Sequence, residues 1–422
     1  MLYDIGFAIF SIFYLPTLIF KGKLHGDFAE RFANYAKAKR SALDAGKDTI
    51  WIQAVSVGEV ALCRSFIPLL RKRFPKSSIV LSTITKTGND LAVKLYSKDA
   101  TIIYFPLDFS AVVKKAIAII RPKAYVMIET EIWPNVLKEL SRQGVPAVLI
   151  NGRISDKSFG KYRMAKPFLQ KTLQRISSFC MQSKNDADRV VEMGAPADKV
   201  RVTGNMKFDT EVKADPERLK ELKKILGIRD EDRLIVAGST HEGEEEIVIR
   251  VFKQLMNEFK YLKLLIAPRH IERADAVKAV AHDMNFVPFR VSGLPVQKED
   301  AGPIVMILDK IGQLADCYAL ASFVFIGGSL VRHGGQNPIE PALLEKPIIF
   351  GPHMFNFKSS VNVLIENNAA IQVKDEAALL SAARDVLKSS VKCAELGRNA
   401  KEAMLKNRGA TEKNLKEIGC VI

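Results

Sequence analysis

From Thr49 onward, short runs of consecutive apolar residues alternate with longer stretches whose apolar positions recur every three to four residues. The runs predict strands at 49–55, 78–83, 102–105, 124–129, 146–151, 178–183 and 200–204. Amphipathic stretches between them, such as 59–74 and 111–121, predict helices. A polar, helix-prone stretch at 209–232 interrupts the rhythm and reads as a hinge region. The alternation then resumes with strands at 233–239, 261–268, 304–308, 322–328, 346–351 and 369–373. Strands buried on both faces read as unbroken apolar runs, so this pattern predicts parallel sheets covered by helices on both sides. The expectation is an α/β chain of two Rossmann-like, doubly wound domains facing a cleft, with ligands beyond the carboxyl ends of the strands.

Before this rhythm begins, Ile5–Phe20 carries no charge. As a helix it is about 24 Å long, slightly short of a ~30 Å hydrocarbon core, so it can span with help from its flanks or lie in one leaflet. Asp4 stands where a signal peptide would carry positive charge. Lys21, Lys23, Arg31, Lys37, Lys39 and Arg40 all follow the run, which keeps the remainder cytoplasmic and close to anionic lipid. The expected division is a membrane anchor at 1–22, a first domain at 23–210 and a second at 211–422, whose last helix is a candidate to return to the first domain.

At 422 residues the chain has material for two cores. Its formal net charge of +16 favours polyanionic partners. Nucleic acid is the weakest of these, because no zinc finger, RNA-binding signature or basic arm is present. Cys63, Cys180, Cys317, Cys393 and Cys420 form no framework and read as buried structural thiols in a reducing compartment. The histidines show no metal-ligand spacing, so no metal is expected.

The chemistry-bearing residues lie at predicted strand ends. Ser56-Val57-Gly58-Glu59 follows the first strand, where Glu59 either complements a helix N-terminus or serves as a general base. Glu129 and Glu131 close another strand, before Pro134. Lys207 follows the last strand of the first domain. In the second domain, Pro268-Arg269-His270 offers a guanidinium fork for phosphate or carboxylate. Ile311-Gly312-Gln313 allows close backbone approach. Gly327-Gly328-Ser329 and His333 through Pro341 combine exposed glycine N–H groups with a helix start, a pattern suited to phosphate. Asn337, Pro338 and Glu340 also suit a plain helix start at N-cap, N1 and N3. Arg64, Arg71, Lys72 and Arg73, on the helix after Glu59, are candidate contacts for acceptor phosphates.

The segments SVGEV, PLDF, IETEIWPN, NGRISDKS, VTGNMKFD, AGSTHEGEE, APRHIER and GGQNPIEPA together resemble the 3-deoxy-D-manno-octulosonic acid (Kdo) transferase family. The resemblance implies a GT-B glycosyltransferase: inverting, metal-independent and without a cofactor. It implies transfer of Kdo from CMP-Kdo to the lipid A precursor (lipid IVA) in lipopolysaccharide core biosynthesis, on the cytoplasmic side of the inner membrane of a Gram-negative cell envelope. Matched by position, Glu59 is the general base, and Glu129 and Lys207 assist the transition state, with Glu131 a second candidate. CMP falls to Pro268 and Arg269, to Ile311, Gly312 and Gln313, and to Asn337, Pro338, Ile339 and Glu340. The implied partners are CMP-Kdo, the lipid A precursor and anionic inner-membrane lipids, without nucleic acid. Gln53, Gln313 and Gln336 replace residues common in the family. Competing readings are a GT-B nucleotide-sugar epimerase and a non-catalytic membrane-bound nucleotide-binding scaffold.

Overall fold

The structure, a computed structural model, describes residues 3–6, 8, 26–212, 214–293 and 303–422. The predicted anchor at 5–20 lies almost wholly outside these. Among the described residues, no helix is long and apolar enough to cross a membrane. The chain divides into two compact units: residues to Thr210 together with Arg408–Ile422, and Glu211–Asn407. The second unit therefore ends at Asn407, short of the chain's end.

The first unit is built on a parallel sheet of β1 (Thr49–Gln53), β2 (Ile79–Thr83), β3 (Thr101–Tyr104), β4 (Pro122–Ile128), β5 (Ala147–Gly152), β6 (Ser178–Met181) and β7 (Val200–Val202). Their order is β3-β2-β1-β4-β5-β6-β7. The winding reverses between β1 and β4, which opens a crevice at their carboxyl ends. β1 and β2 are buried at every position, as strands covered on both faces must be. On one face, Trp51 meets Tyr125 and Phe105 with ring centroids 4.8 and 5.8 Å apart, and Phe105 meets Trp133 at 5.3 Å. This aromatic chain runs from the middle of the sheet to its carboxyl rim. On the other face, the helix Val57–Arg73 and the closing helix Ala410–Val421 share a core with Ile52, Leu81 and Ile150.

The closing helix is fastened at its start. Asp209 accepts the N–H groups of Gly409 at 2.6 Å and Thr411 at 2.5 Å, while Arg408 donates to the carbonyls of Phe208 and Thr210. An aspartate receiving the free N–H groups of a helix's first turn is a capping interaction supplied from elsewhere in the sequence.

The second unit repeats the plan with β8 (Arg233–Thr240), β9 (Leu262–Pro268), β10 (Val287–Arg290), β11 (Ile304–Ile307), β12 (Phe323–Ile326), β13 (Ile348–Phe350) and β14 (Ile371–Gln372), in the order β10-β11-β9-β8-β12-β13-β14. β10 escapes the sequence reading because Pro288 interrupts it. The strand forms nevertheless because it lies at the sheet edge and pairs only with β11, so the missing N–H matters little. The stretch read as a hinge contains the helix Pro216–Ile225, with Asp215 capping it through the Glu217 N–H. Arg218 on this helix pairs with Asp316 at 2.8 Å, within the second unit.

Candidate active site

In the first unit, the helix that carries Glu59 begins four residues past β1. Its carboxylate accepts the Val55 N–H at 2.5 Å through Oε2, and Oε1 lies 3.3 Å from the Ser56 hydroxyl. It thus braces the strand-to-helix turn, as the simpler reading expects. The same placement sets it beside two other acids. Burial, opposed by the Val55 N–H and reinforced by the charges of Glu129 and Glu131, pushes the Glu59 carboxyl up to about 8. Glu129 follows β4 directly and adopts φ 62°, a left-handed backbone that costs a non-glycine residue energy. Glu131 accepts the Trp133 indole N–H at 2.9 Å and is pushed up to about 7, mainly by burial. Three half-buried carboxylates therefore gather at the β1/β4 reversal.

Buried polar residues hold these loops. Asp108, fully buried, accepts the N–H groups of Asn135 at 3.1 Å and Val136 at 3.0 Å, fixing the helix that follows Glu131. Asn151, at φ 53° near the end of β5, accepts the Met206 N–H at 2.9 Å, and Asn205 accepts the Lys207 N–H at 3.0 Å. These bonds set the Lys207 turn against the carboxyl end of β5. The departure at Gln53 lies inside the sheet, where its amide oxygen accepts the Ser82 hydroxyl at 2.5 Å.

The cations proposed for acceptor phosphates fare differently. Arg71 pairs with Asp99 at 3.2 Å, and the Arg73 guanidinium lies against Gly419 of the closing helix. Arg71 is also about 18 Å along its helix from Glu59. Only Arg64 stays exposed within two turns of the site. Among the cations after the apolar run, Lys39 pairs with Glu30, Arg40 pairs with Asp44, and Arg31 lies over the Tyr104 ring.

In the second unit, the loops after β11, β9, β8 and β12 stand side by side because those strands are neighbours. Pro268 ends β9, and the Arg269 N–H binds the Thr240 carbonyl at 2.9 Å while its side chain reaches solvent. Ile311 is 80% exposed, Gly312 turns at φ 89°, and Gln313 stands at the N-cap position of the helix Leu314–Leu320 without a side-chain capping bond. Asn337 accepts the Ile339 N–H at 3.0 Å, and its amide lies 3.3 Å from Glu340. The helix starting there spans only Ile339–Leu343, too short for a strong dipole, and its first N–H groups are already partnered, Ile339 by Asn337 and Ala342 by the Pro338 carbonyl at 3.2 Å. The loop before it needs its glycines: a Cβ on Gly327 would lie 2.3 Å from the Ser239 carbonyl oxygen.

Sequence reasoning underrated the histidines and acids after β8. His241 stacks on His333 at 4.2 Å, lies 6.1 Å from His270, and exchanges a 3.2 Å hydrogen bond with Gln336. Burial, with His333, His270, Arg269 and Arg273 nearby, lowers the His241 imidazole to about 4. Glu244 and Glu245, in the first turn of the helix Glu244–Met256, are buried. Glu245 pairs with Arg273 at 2.6 Å, and Glu244 binds the backbone of the glycine loop. Among the described residues, no group of three or more His, Cys, Asp or Glu is arranged to hold a metal ion. Cys63, Cys180 and Cys317 are buried thiols as expected, whereas Cys420 is exposed.

Residues 26–210 match the family described as 3-deoxy-D-manno-octulosonic-acid transferase (kdotransferase). The 3-deoxy-D-manno-octulosonic acid transferase of Haemophilus influenzae is 32% identical over 389 residues, 92% of this chain and 89% of that protein. This chain belongs to the Kdo transferase family. Membership makes it a glycosyltransferase, which the fold alone would not. A glycosyltransferase from Rickettsia africae superposes with a TM-score of 0.62 at 11% identity, covering 89% of this chain and 98% of that one. The UDP-GlcNAc 2-epimerase of Neisseria meningitidis does so with 0.61 at 10%, covering 88% and 100%. Transferase and epimerase therefore share the architecture, and the Kdo transferase assignment rests on sequence.

Proposed function

We propose that this chain transfers Kdo from CMP-Kdo to a lipid A precursor by a single inverting displacement, with Glu59 as general base. The observation that carries the base assignment is the carboxylate trio at the β1/β4 reversal of a Kdo transferase chain. A base works best when its pKa lies near the working pH, and the Glu59 carboxyl at about 8 meets that requirement. Glu59 takes the proton of an acceptor hydroxyl as that oxygen bonds to the anomeric carbon of Kdo. The bond from that carbon to the phosphate oxygen breaks, and CMP departs with the electron pair.

The second unit binds CMP through Pro268 and Arg269, Ile311 through Gln313, and Asn337 through Glu340. Lys207 offsets negative charge on the donor, and Glu129 favours the developing positive charge at the anomeric centre. This reading assigns the leaving charge to protein groups instead of a metal, so EDTA leaves turnover unchanged. Ile5–Phe20 anchors the enzyme on the cytoplasmic face of the inner membrane, where anionic lipids and the acceptor are found.

Glu59→Ala tests the base assignment. The variant should lose Kdo transfer, read by mass spectrometry of the lipid product, while binding CMP within twofold of the parent. Near-normal turnover would reject the role.

A further inference from the structure

The glycine-rich loop after β12 looks in sequence like an open cradle for a phosphate. In the structure the cradle already holds an anion from the chain itself. Glu244 Oε1 accepts the N–H groups of Ser329 and Leu330, each at 2.9 Å. Its Oε2 accepts those of Gly328 at 2.6 Å and His241 at 3.0 Å. The side chain is completely buried. All four partners are donors, so the geometry fits a carboxylate and not an acid. Three successive N–H groups converging on one anion form a nest, the arrangement that elsewhere takes up phosphate.

The loop passes this constraint onward. The Gly335 N–H binds the Gly328 carbonyl at 2.8 Å, and the Gly351 N–H binds the Ser329 hydroxyl at 2.8 Å. Gln336 reaches His241, whose backbone Glu244 also holds. The segment from Gly327 to Asn337 is thereby fastened to the start of the helix Glu244–Met256, and Glu244 is the fastener.

We propose that Glu244 is a positioning residue, a built-in anion that shapes the donor loop and closes its N–H groups to substrate. The negative charge of the donor is then left to the exposed guanidinium of Arg269. This inference rests on the reading of the second unit as the CMP-Kdo site.

The test uses the full-length enzyme with Glu244→Gln, Glu244→Asp and Glu244→Ala. Glutamine keeps the size but presents an NH2 to backbone donors, so two of the four bonds are lost. The expected result is a donor KM raised tenfold or more, with acceptor KM and kcat changed less than threefold. Hydrogen exchange of the 326–336 peptide should accelerate while β1 and β4 keep their protection. Glu244→Asp should fall between, and added formate should restore the donor KM of Glu244→Ala by refilling the nest. General destabilisation would move both KM values and would not respond to formate.

A folded Glu244→Gln with donor KM within twofold of the parent and unchanged loop exchange overturns the proposal. Should that variant fail to fold, Glu244→Asp decides on the same two readouts. If the parent enzyme does not turn over CMP-Kdo, the transfer reading fails, while hydrogen exchange still decides the role of Glu244.

Discussion

The carboxylate trio makes a quantitative prediction about Glu131→Gln. The Glu59 carboxyl stands at about 8 against an ordinary 4.5, and burial is the largest cause, with the charges of Glu129 and Glu131 adding to it. Glu131, at about 7, loses its proton first as pH rises, and its new charge holds the proton on Glu59. Glutamine removes that charge while its amide oxygen still accepts the Trp133 N–H. At an effective dielectric of ~20, one neighbouring charge several ångströms away is worth on the order of 2 kcal/mol, or about 1.5 pH units. Water at the half-buried rim cuts this to about half a unit to one unit. The larger part of the shift, from burial, stays. The acid limb of kcat should therefore lie near 8 in the parent enzyme and move down to about 7–7.5 in Glu131→Gln. The assay is CMP release at saturating donor and acceptor from pH 5.5 to 9.5, with added viscogen confirming that chemistry limits the rate. A flat parent profile across pH 6–9 would refute the raised carboxyl. A limb that stays in place or moves upward in the variant would refute the electrostatic coupling.

Three further outcomes follow from the same structure. Because the Glu59 and Glu131 carboxyls are raised, the stability they contribute is fully present below about 4.5 and is lost as pH rises through about 7 and about 8. Glu59→Gln should accordingly melt higher than the parent at pH 9 and close to it at pH 5; equal melting at both pH values would contradict this. Asp209→Ala removes two N–H bonds to a carboxylate at the start of the closing helix, costing about 2–3 kcal/mol and lowering the melting temperature by about 5–10 °C. Calorimetry showing no loss would mean that the helix is held by its apolar face alone. Gly327→Ala would force β8 and β12 apart at the Ser239 carbonyl, a cost of about 1–3 kcal/mol, so CMP binding measured calorimetrically should weaken by tenfold or more.

Much of this architecture is legible along the chain, because strands buried on both faces must be apolar throughout and the helices between them must be amphipathic. The parallel topology then places strand-end residues at the ligand rim, which is why Glu59, Glu129, Lys207, Arg269 and Asn337 are visible as candidates before any fold is known. Tertiary structure alone decides what depends on distant neighbours. Pro288 conceals β10 until its edge position is seen. Arg71 reads as a free cation until Asp99 stands beside it. The Glu59 carboxyl is raised to about 8 only through burial and the charges brought to it from beyond β4. Glu244 reads as an ordinary helix-start acid, because three of its four partners are backbone N–H groups more than eighty residues away. Periodicity records which face of an element is buried. The energy of a charge depends on which dipoles and charges surround it, and only the folded chain brings those together.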